Sequence, residues 1–196
     1  GVLKSIPNLR VVVVSVGAND IGWSDFIQLC YGLPRCDDQV SASLAGQRLD
    51  RFRTEFTQLL AQLSQLPSRP SVIVTGYYDP FGTTFDCPAL VDPHRPDVQP
   101  PGFGFASEGV DTVLKQKIEP LRSFLASLNA LLAQGAEAFG YGAVAPSFAG
   151  HGLCSTQPWV QGLSARYPFH PNAAGELAIA AAELPHLATL VNGVGR

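Results

Sequence analysis

The chain has 196 residues, of which 46% are hydrophobic and 15% charged, and its formal net charge is -3. This length fits one domain with a sizeable core, and the apolar content excludes a disordered chain. The slightly negative charge argues against nucleic acid or an anionic membrane surface as the main partner. No apolar run approaches the roughly 18 residues that a membrane-spanning helix needs, so no integral membrane segment is expected.

A valine-rich run over residues 11–16 ends abruptly in Gly17-Ala18-Asn19-Asp20. β-Branched residues bounded by glycine predict a strand that is buried on both faces of a parallel sheet. The loops at the carboxyl ends of such strands form the ligand crevice of an open α/β sheet. Asn19 can donate two hydrogen bonds into that crevice, or it can be a turn asparagine that tolerates left-handed geometry. Asp20 is expected to brace the turn.

Strand and helix patterns alternate along the rest of the chain. We predict an irregular loop over 21–38, a helix over 40–66, a strand over 71–76, a long loop over 77–106, a helix over 110–132 that Pro120 kinks or divides, a weak strand over 139–144, an irregular stretch over 145–169 and a helix that begins at Pro171 and ends near Pro185. This alternation predicts an α/β fold, a three-layer α/β/α sandwich with a parallel sheet. The aromatic-rich long loop is interpreted as a wall of the substrate pocket or as a surface excursion.

Four cysteines allow three pairings. The spacing favours Cys30–Cys36 and Cys87–Cys154, because a tight local pair leaves the other two for each other. The alternative is four free thiols in a cytosolic protein. An even cysteine count in loops, sixteen prolines and no methionine favour an exported protein with two disulfides, either secreted or associated with the cell envelope.

A second chemical block is Phe169-His170-Pro171-Asn172, which places a histidine at a loop-to-helix junction. A ring that is free to face the crevice suits a general base, although a lone histidine is more often one that backbone groups satisfy. Together with Gly17-Ala18-Asn19-Asp20, about 150 residues earlier, this block resembles the SGNH (GDSL-type) esterase and lipase family. The run over 167–175, the segment Gly150-His151-Gly152-Leu153-Cys154 and the cysteine pattern are similar to those of exported actinobacterial members.

The resemblance implies a serine hydrolase of carboxylic (acyl) esters that needs no metal or organic cofactor. Asn19 corresponds to the oxyanion-hole asparagine and His170 to the general base. The family usually has an aspartate three residues before the histidine, and here that position is Tyr167. We therefore expect the Tyr167 backbone carbonyl to orient the His170 ring, which leaves a Ser-His dyad without the charge that stabilises imidazolium.

The first two blocks of the family, which contain the nucleophilic serine and an oxyanion-hole glycine, have no counterpart here. Ser15 is no substitute, because Val13 breaks the Gly-x-Ser-x-Gly elbow that would expose it. We expect residues 1–196 to be the rear part of a single SGNH-hydrolase domain that lacks its first strand. The serine is then expected on an N-terminal fragment of the same precursor. Since natural proteins rarely tolerate a bare apolar sheet edge, the isolated chain should fold poorly.

The expected substrate is an acyl ester of a lipid or a carbohydrate. Two alternatives remain: an acyltransferase that uses the same residues, and a catalytically inactive binding module that kept the crevice. The presence of both Asn19 and His170 argues against the inactive module, which needs neither. Of the other candidates, His94 and His186 are interpreted as surface residues, His151 as a residue at the crevice without carboxylates at metal-ligand spacing, and Trp159 as an acyl-chain contact or simple packing.

Overall fold

The computed structural model describes residues 2–32, 36–82, 117–153, 155–162 and 165–193. After a short 3-10 helix, Val2–Ser5, the elements in chain order are β1 (Val11–Val14), α1 (Trp23–Gly32), α2 (Gln39–Ser64), β2 (Ser71–Thr75), α3 (Glu119–Ala138), β3 (Gly142–Val144) and α4 (Ala173–Gly193). The predicted alternation of strands and helices is confirmed. None of the helices in these ranges is long and apolar enough to cross a membrane.

The described strands form a parallel sheet in the order β1-β2-β3. Val11 lies opposite Ser71 in the β1–β2 pair, and Ile73 lies opposite Gly142 in the β2–β3 pair. Because all three strands run the same way, the turns that follow them meet at one edge of the sheet. Among the described residues β1 is paired on one side only.

The sheet separates two layers of helices, as the three-layer prediction requires. On one face, Val14, Val72 and Val74 join the main core with α2 and α3. On the other face, Thr75 donates a hydrogen bond of 2.6 Å to the Glu183 carboxylate of α4. Side chains alternate between the faces of a strand, so Ile73, which is fully buried, lies on this second face as well.

The prediction of an irregular loop over 21–38 is wrong for the first half of this segment, because α1 occupies Trp23–Gly32. The helix forms because Phe26, Ile27 and Cys30 recur at helical spacing and are all buried. The predicted disulfide between Cys30 and Cys36 is confirmed and ties the end of α1 to the segment before α2. The Cys87–Cys154 pair and the long loop from residue 83 onward lie outside the described residues.

Both ends predicted for the last helix are wrong. Pro171 precedes α4, and Asn172 caps it, with its Oδ1 accepting hydrogen bonds from the amides of Ala174 (3.0 Å) and Gly175 (3.1 Å). The helix also continues through Pro185 to Gly193. A proline inside a helix removes one backbone hydrogen bond, but the alanine and leucine around it strongly favour helix.

Pro120 lies in the first turn of α3, directly after a π-helical turn at residues 117–118, and whether it kinks or divides a longer helix stays a prediction. A proline is tolerated there because the first amides of a helix have no intrahelical partner. Residues 110–116 of the predicted helix lie outside the described residues. The weak third strand is confirmed but short, since Phe139 caps α3 and only Gly142–Val144 pairs with β2.

Candidate active site

A cavity of about 1080 Å³ lies between the second face of the sheet and α4. Ser15 and Ala18 line it from the end of β1, and Tyr77 and Tyr78 line it from the end of β2. The loop 166–171, including His170, and the cavity-facing side of α4 complete the wall. The predicted crevice at the carboxyl ends of the strands therefore exists, and it brings His170 and the turn containing Asn19 to the same cavity.

The His170 ring is exposed, and its Nδ1 lies 3.2 Å from the backbone carbonyl oxygen of Pro168. The prediction that the Tyr167 carbonyl contacts the ring is wrong, because that carbonyl accepts a 3.3 Å hydrogen bond from the His170 amide. The physical reason is a reversal of the chain at Phe169, whose φ of +65° is left-handed. A carbonyl oxygen can only accept, so the proton of the neutral ring is on Nδ1 and Nε2 is free to act as a base.

Five hydrogen bonds attach the segment around His170 to a neighbouring loop, one of them from the Gln161 side chain to the Pro171 carbonyl (3.2 Å). The Gln161 amide donates to the His170 carbonyl (2.7 Å), and the Phe169 amide donates to the Gln161 carbonyl (3.1 Å). The Asn172 amide donates to the Trp159 carbonyl (2.9 Å), and the Asn172 side chain donates to the Pro158 carbonyl (2.7 Å). These bonds include a short antiparallel bridge between Val160 and Pro171. Together they hold the backbone of His170 and leave its ring out of the support.

The turn after β1 is built around a buried glycine. Gly17 has φ of +119°, and a Cβ atom there would lie 2.8 Å from the Phe52 ring. The Asp20 carboxylate accepts a hydrogen bond of 3.1 Å from the Gly17 amide, which confirms the prediction that Asp20 braces the turn. The Asn19 side chain is exposed at the tip of this turn. Its role in an oxyanion hole stays a prediction.

Tyr77 and Tyr78 connect the two predicted site segments. The Tyr77 hydroxyl oxygen accepts a hydrogen bond of 3.1 Å from the Ala18 amide, next to Asn19. The Tyr78 hydroxyl donates to the Phe169 carbonyl at 2.8 Å, next to His170. Sequence reasoning assigned both tyrosines to a long loop, interpreted as a pocket wall or as a surface excursion, and missed these bonds. Their position directly after β2 and Gly76, at the same edge of the sheet as the Asn19 turn, is the signal that could have indicated them.

Burial raises the pKa of both tyrosines above the usual range, and the negative charge of Glu176 raises the pKa of Tyr78 further. The Tyr78 phenol therefore stays protonated at all ordinary pH values and remains a hydrogen-bond donor. Glu183, hydrogen-bonded to Thr75, and the exposed Glu176 place two carboxylates on the α4 side of the cavity.

The other histidines and Trp159, which the sequence also offered as candidates, contact groups other than His170 and the Asn19 turn or lie outside the described residues. The His151 ring stacks on Trp159 with centroids 3.8 Å apart, and its Nδ1 contacts the Gln157 carbonyl at 2.9 Å. Trp159 also packs edge-on against Phe148, which favours the packing interpretation. His186 is exposed on α4, as expected, and His94 lies outside the described residues. Within the described ranges no group of three or more His, Cys, Asp or Glu residues could hold a metal ion.

Ser15 is exposed on the cavity wall, within interaction distance of the Tyr77 hydroxyl. It follows the last residue of β1 and precedes Val16 and Gly17, whereas α1 begins only at Trp23. The sharp strand-to-helix elbow that exposes a nucleophilic serine is therefore not formed around Ser15.

The chain is similar to lipases of Streptomyces. It is 27% identical over 180 residues to Lipase 1 of Streptomyces coelicolor, covering 85% of this chain and 56% of the relative. Its fold resembles an extracellular lipase from Streptomyces rimosus with a TM-score of 0.52 and 21% identity, covering 88% of this chain and 69% of the other. It also resembles phospholipase A1 from Streptomyces albidoflavus with a TM-score of 0.56 and 18% identity, covering 92% and 68%.

No protein-family model matches the chain. The chain spans just over half the length of the curated relative, with 56% covered. The two structural neighbours share the α/β fold described above for this chain.

Proposed function

We propose that the chain belongs with the SGNH (GDSL-type) esterases and lipases and forms the rear part of a serine-dependent carboxylic ester hydrolase. The observation that carries the proposal is the setting of His170. Its ring lies on the wall of a 1080 Å³ cavity, with Nδ1 against a backbone carbonyl. Because Nδ1 carries the proton of the neutral ring, Nε2 is the basic atom of His170.

In the proposed mechanism, Nε2 of His170 accepts the hydroxyl proton of a serine as the serine oxygen attacks the ester carbonyl carbon. The carbonyl electrons move onto oxygen, and the Asn19 amide donates to this oxyanion. As the tetrahedral intermediate collapses, His170 returns the proton to the leaving alcohol and the acyl-enzyme remains. Water then repeats the sequence on the acyl-enzyme and releases the carboxylic acid.

The serine is proposed to come from a segment outside residues 1–196, an N-terminal part of the same precursor. Support comes from β1, which is paired on one side only among the described residues, and from Val13, which is 43% exposed on the second face of the sheet. A further strand would pair with the other edge of β1 and lead its own carboxyl end to the cavity. The chain's 56% share of the Streptomyces coelicolor lipase is compatible with such a segment.

The proposed substrate is an acyl ester of a lipid or an acylated carbohydrate. Trp23, Ile27, Phe169 and Ile179 supply an apolar part of the cavity wall against which an acyl chain can pack. The Streptomyces relatives are named lipases and a phospholipase, one of them extracellular. The Cys30–Cys36 disulfide fits the same secreted or cell-envelope location.

The test compares His170→Ala with the matched control His186→Ala, an exposed histidine outside this cavity. Both variants are made in the complete secreted enzyme and assayed with p-nitrophenyl esters of short and long acyl chains. We expect kcat/KM to fall about 10²–10⁴-fold in His170→Ala, since that is the usual contribution of a general base, and to stay at the parental value in the control. Equal activity of the two variants would remove His170 from the mechanism.

Fluorophosphonate labelling followed by intact-mass spectrometry locates the serine. We expect one label on the N-terminal segment of the complete enzyme and none within residues 1–196. A label on Ser15 or another serine of this chain would overturn the proposed origin of the nucleophile. A parent enzyme that neither hydrolyses esters nor accepts the label would overturn the hydrolase proposal itself.

A further inference from the structure

We propose that Tyr77 and Tyr78, which follow β2 directly, are a pair of positioning residues that together set the spacing between the Asn19 turn and His170. The inference deepens the proposed function and rests on it, since it assigns the two tyrosines to the geometry of that site. Neither phenol acts on the substrate in this proposal. Each acts through the backbone of the residue next to a catalytic group.

The Tyr77 side chain reaches toward β1. Its hydroxyl oxygen accepts the Ala18 amide at 3.1 Å, one residue before Asn19, and the Ser15 side chain also interacts with it. The Tyr77 backbone is itself held by Asn129 of α3, which accepts from the Tyr77 amide and donates to the Tyr77 carbonyl, both at 2.7 Å. Hydrogen bonds through Tyr77 therefore connect the Asn19 turn to α3 in the main core.

The Tyr78 side chain reaches the other way, toward the loop before α4. Its hydroxyl donates to the Phe169 carbonyl at 2.8 Å, and Phe169 is the left-handed residue that precedes His170. The Tyr78 ring is held parallel to the Phe148 ring, with centroids 4.0 Å apart. Because this phenol stays protonated, the bond to the carbonyl persists over the whole pH range of the enzyme.

Both side chains line the cavity, but the Tyr77 hydroxyl reaches the Ala18 amide after β1 and the Tyr78 hydroxyl reaches the Phe169 carbonyl before α4. One rigid dipeptide thus links two segments that are about 150 residues apart in the chain. A general base and an oxyanion donor must both be in register with one carbonyl group of the substrate. A misplacement of about 1 Å can cost on the order of 10²-fold in rate, so the length of this link matters for kcat.

The experiment uses Tyr77→Phe and Tyr78→Phe in the complete enzyme, with Tyr141→Phe as the control. Tyr141 lies just before β3, outside the large cavity, so its hydroxyl is removed at no cost to the site. For each site variant we expect kcat to fall about tenfold while KM stays within about twofold, because only the alignment of the reacting groups is disturbed. The control is expected to keep parental kcat and KM.

Double-mutant cycles distinguish positioning from a general loss of structure. In a His170→Ala background, Tyr78→Phe should have no further effect on the residual rate, while Tyr77→Phe keeps its effect. In an Asn19→Ala background the pattern should reverse. Full additivity in both cycles would overturn the inference, because tyrosines that act elsewhere do not depend on His170 or Asn19.

Thermal unfolding of every variant checks the fold. If Tyr78→Phe unfolds below the assay temperature, Tyr77→Phe still tests the link from its other end. Parental kcat in both tyrosine variants, with an active parent and an inactive His170→Ala enzyme, would overturn this inference and leave the hydrolase proposal standing. A parent without esterase activity would overturn both.

Discussion

Phe169 is the residue whose backbone decides the contacts of His170. Its left-handed φ of +65° costs on the order of 1–2 kcal/mol for a residue with a bulky side chain. The cost is offset locally, because the Phe169 carbonyl accepts the Tyr78 hydroxyl and its ring packs against Phe81 with centroids 5.6 Å apart. The reversal brings the Pro168 carbonyl to the ring of His170. Strain at this residue therefore has a direct consequence for the proposed base.

At the residue scale we predict that Asn19→Ala lowers kcat about 10²–10³-fold, with a much smaller change in KM, because an oxyanion-hole donor acts mainly in the transition state. Gln47→Ala is the control, since it removes an exposed amide of α2 that donates to Ser43 of the same helix. Both are measured with a p-nitrophenyl ester. Unchanged kcat in Asn19→Ala would leave Asn19 only the role of a turn residue.

At the scale of elements, α2 has the most complete N-terminal cap. One Asp38 carboxylate oxygen accepts the amides of Val40 (2.8 Å) and Ser41 (3.0 Å), and the other accepts the Ser41 hydroxyl (2.9 Å). These bonds, the Ser41 amide first, hold the pKa of Asp38 below its ordinary value of 3.8. A carboxylate at a helix N-terminus is also favoured by the helix dipole.

This cap predicts a pH-dependent contribution to stability. Because the folded-state pKa of Asp38 is lowered, its contribution is present above the unfolded-state pKa and is lost as the pH falls through the folded-state value. We expect Asp38→Asn, which keeps the shape but not the charge, to unfold at lower urea concentration than the parent at neutral pH, and the gap to narrow as the pH falls below the ordinary carboxyl value of 3.8. Asp50→Asn, at an exposed site inside α2, serves as the control. A gap that does not change with pH would contradict the charge-based account.

At the scale of the whole molecule, β1 is paired on one side only among the described residues, and α4 has exposed apolar side chains. Val13 is 43% exposed on β1, and Leu177 and Leu184 of α4 are 72% and 63% exposed. An exposed apolar strand edge favours association, and natural proteins usually cover it. This surface supports the proposal that a further segment of the precursor packs here.

At this scale we expect residues 1–196 alone to bind the dye ANS more strongly, and to unfold at lower urea concentration, than the complete enzyme. The reason is that the added segment would bury the edge of β1 and part of the cavity. Dye fluorescence and urea titration of the two proteins, prepared in the same buffer, measure the difference. Identical dye binding and identical midpoints would mean that the precursor segment does not cover this surface.

Patterns that act over a few residues were predictable from the sequence. The valine run, the apolar spacing of α2 and the six-residue separation of Cys30 and Cys36 each correspond to the observed element or bond. The segment before α2 was harder to predict, because Trp23–Gly32 mixes aromatic, polar and cysteine residues and is helical mainly through the burial of Phe26 and Ile27. The continuation of α4 past Pro185 likewise overrode a local helix-stop signal.

Local patterns were enough to predict the three strands, the helices α2 to α4 and the two blocks that hold Asn19 and His170, since hydrophobic period and turn chemistry are local properties. Only the tertiary structure decided which carbonyl meets the His170 ring and that Tyr77 and Tyr78 join the two blocks. These contacts depend on a left-handed turn at Phe169 and on distances between residues far apart in the chain. No local pattern specifies such distances, because packing of the sheet between its two helical layers sets them.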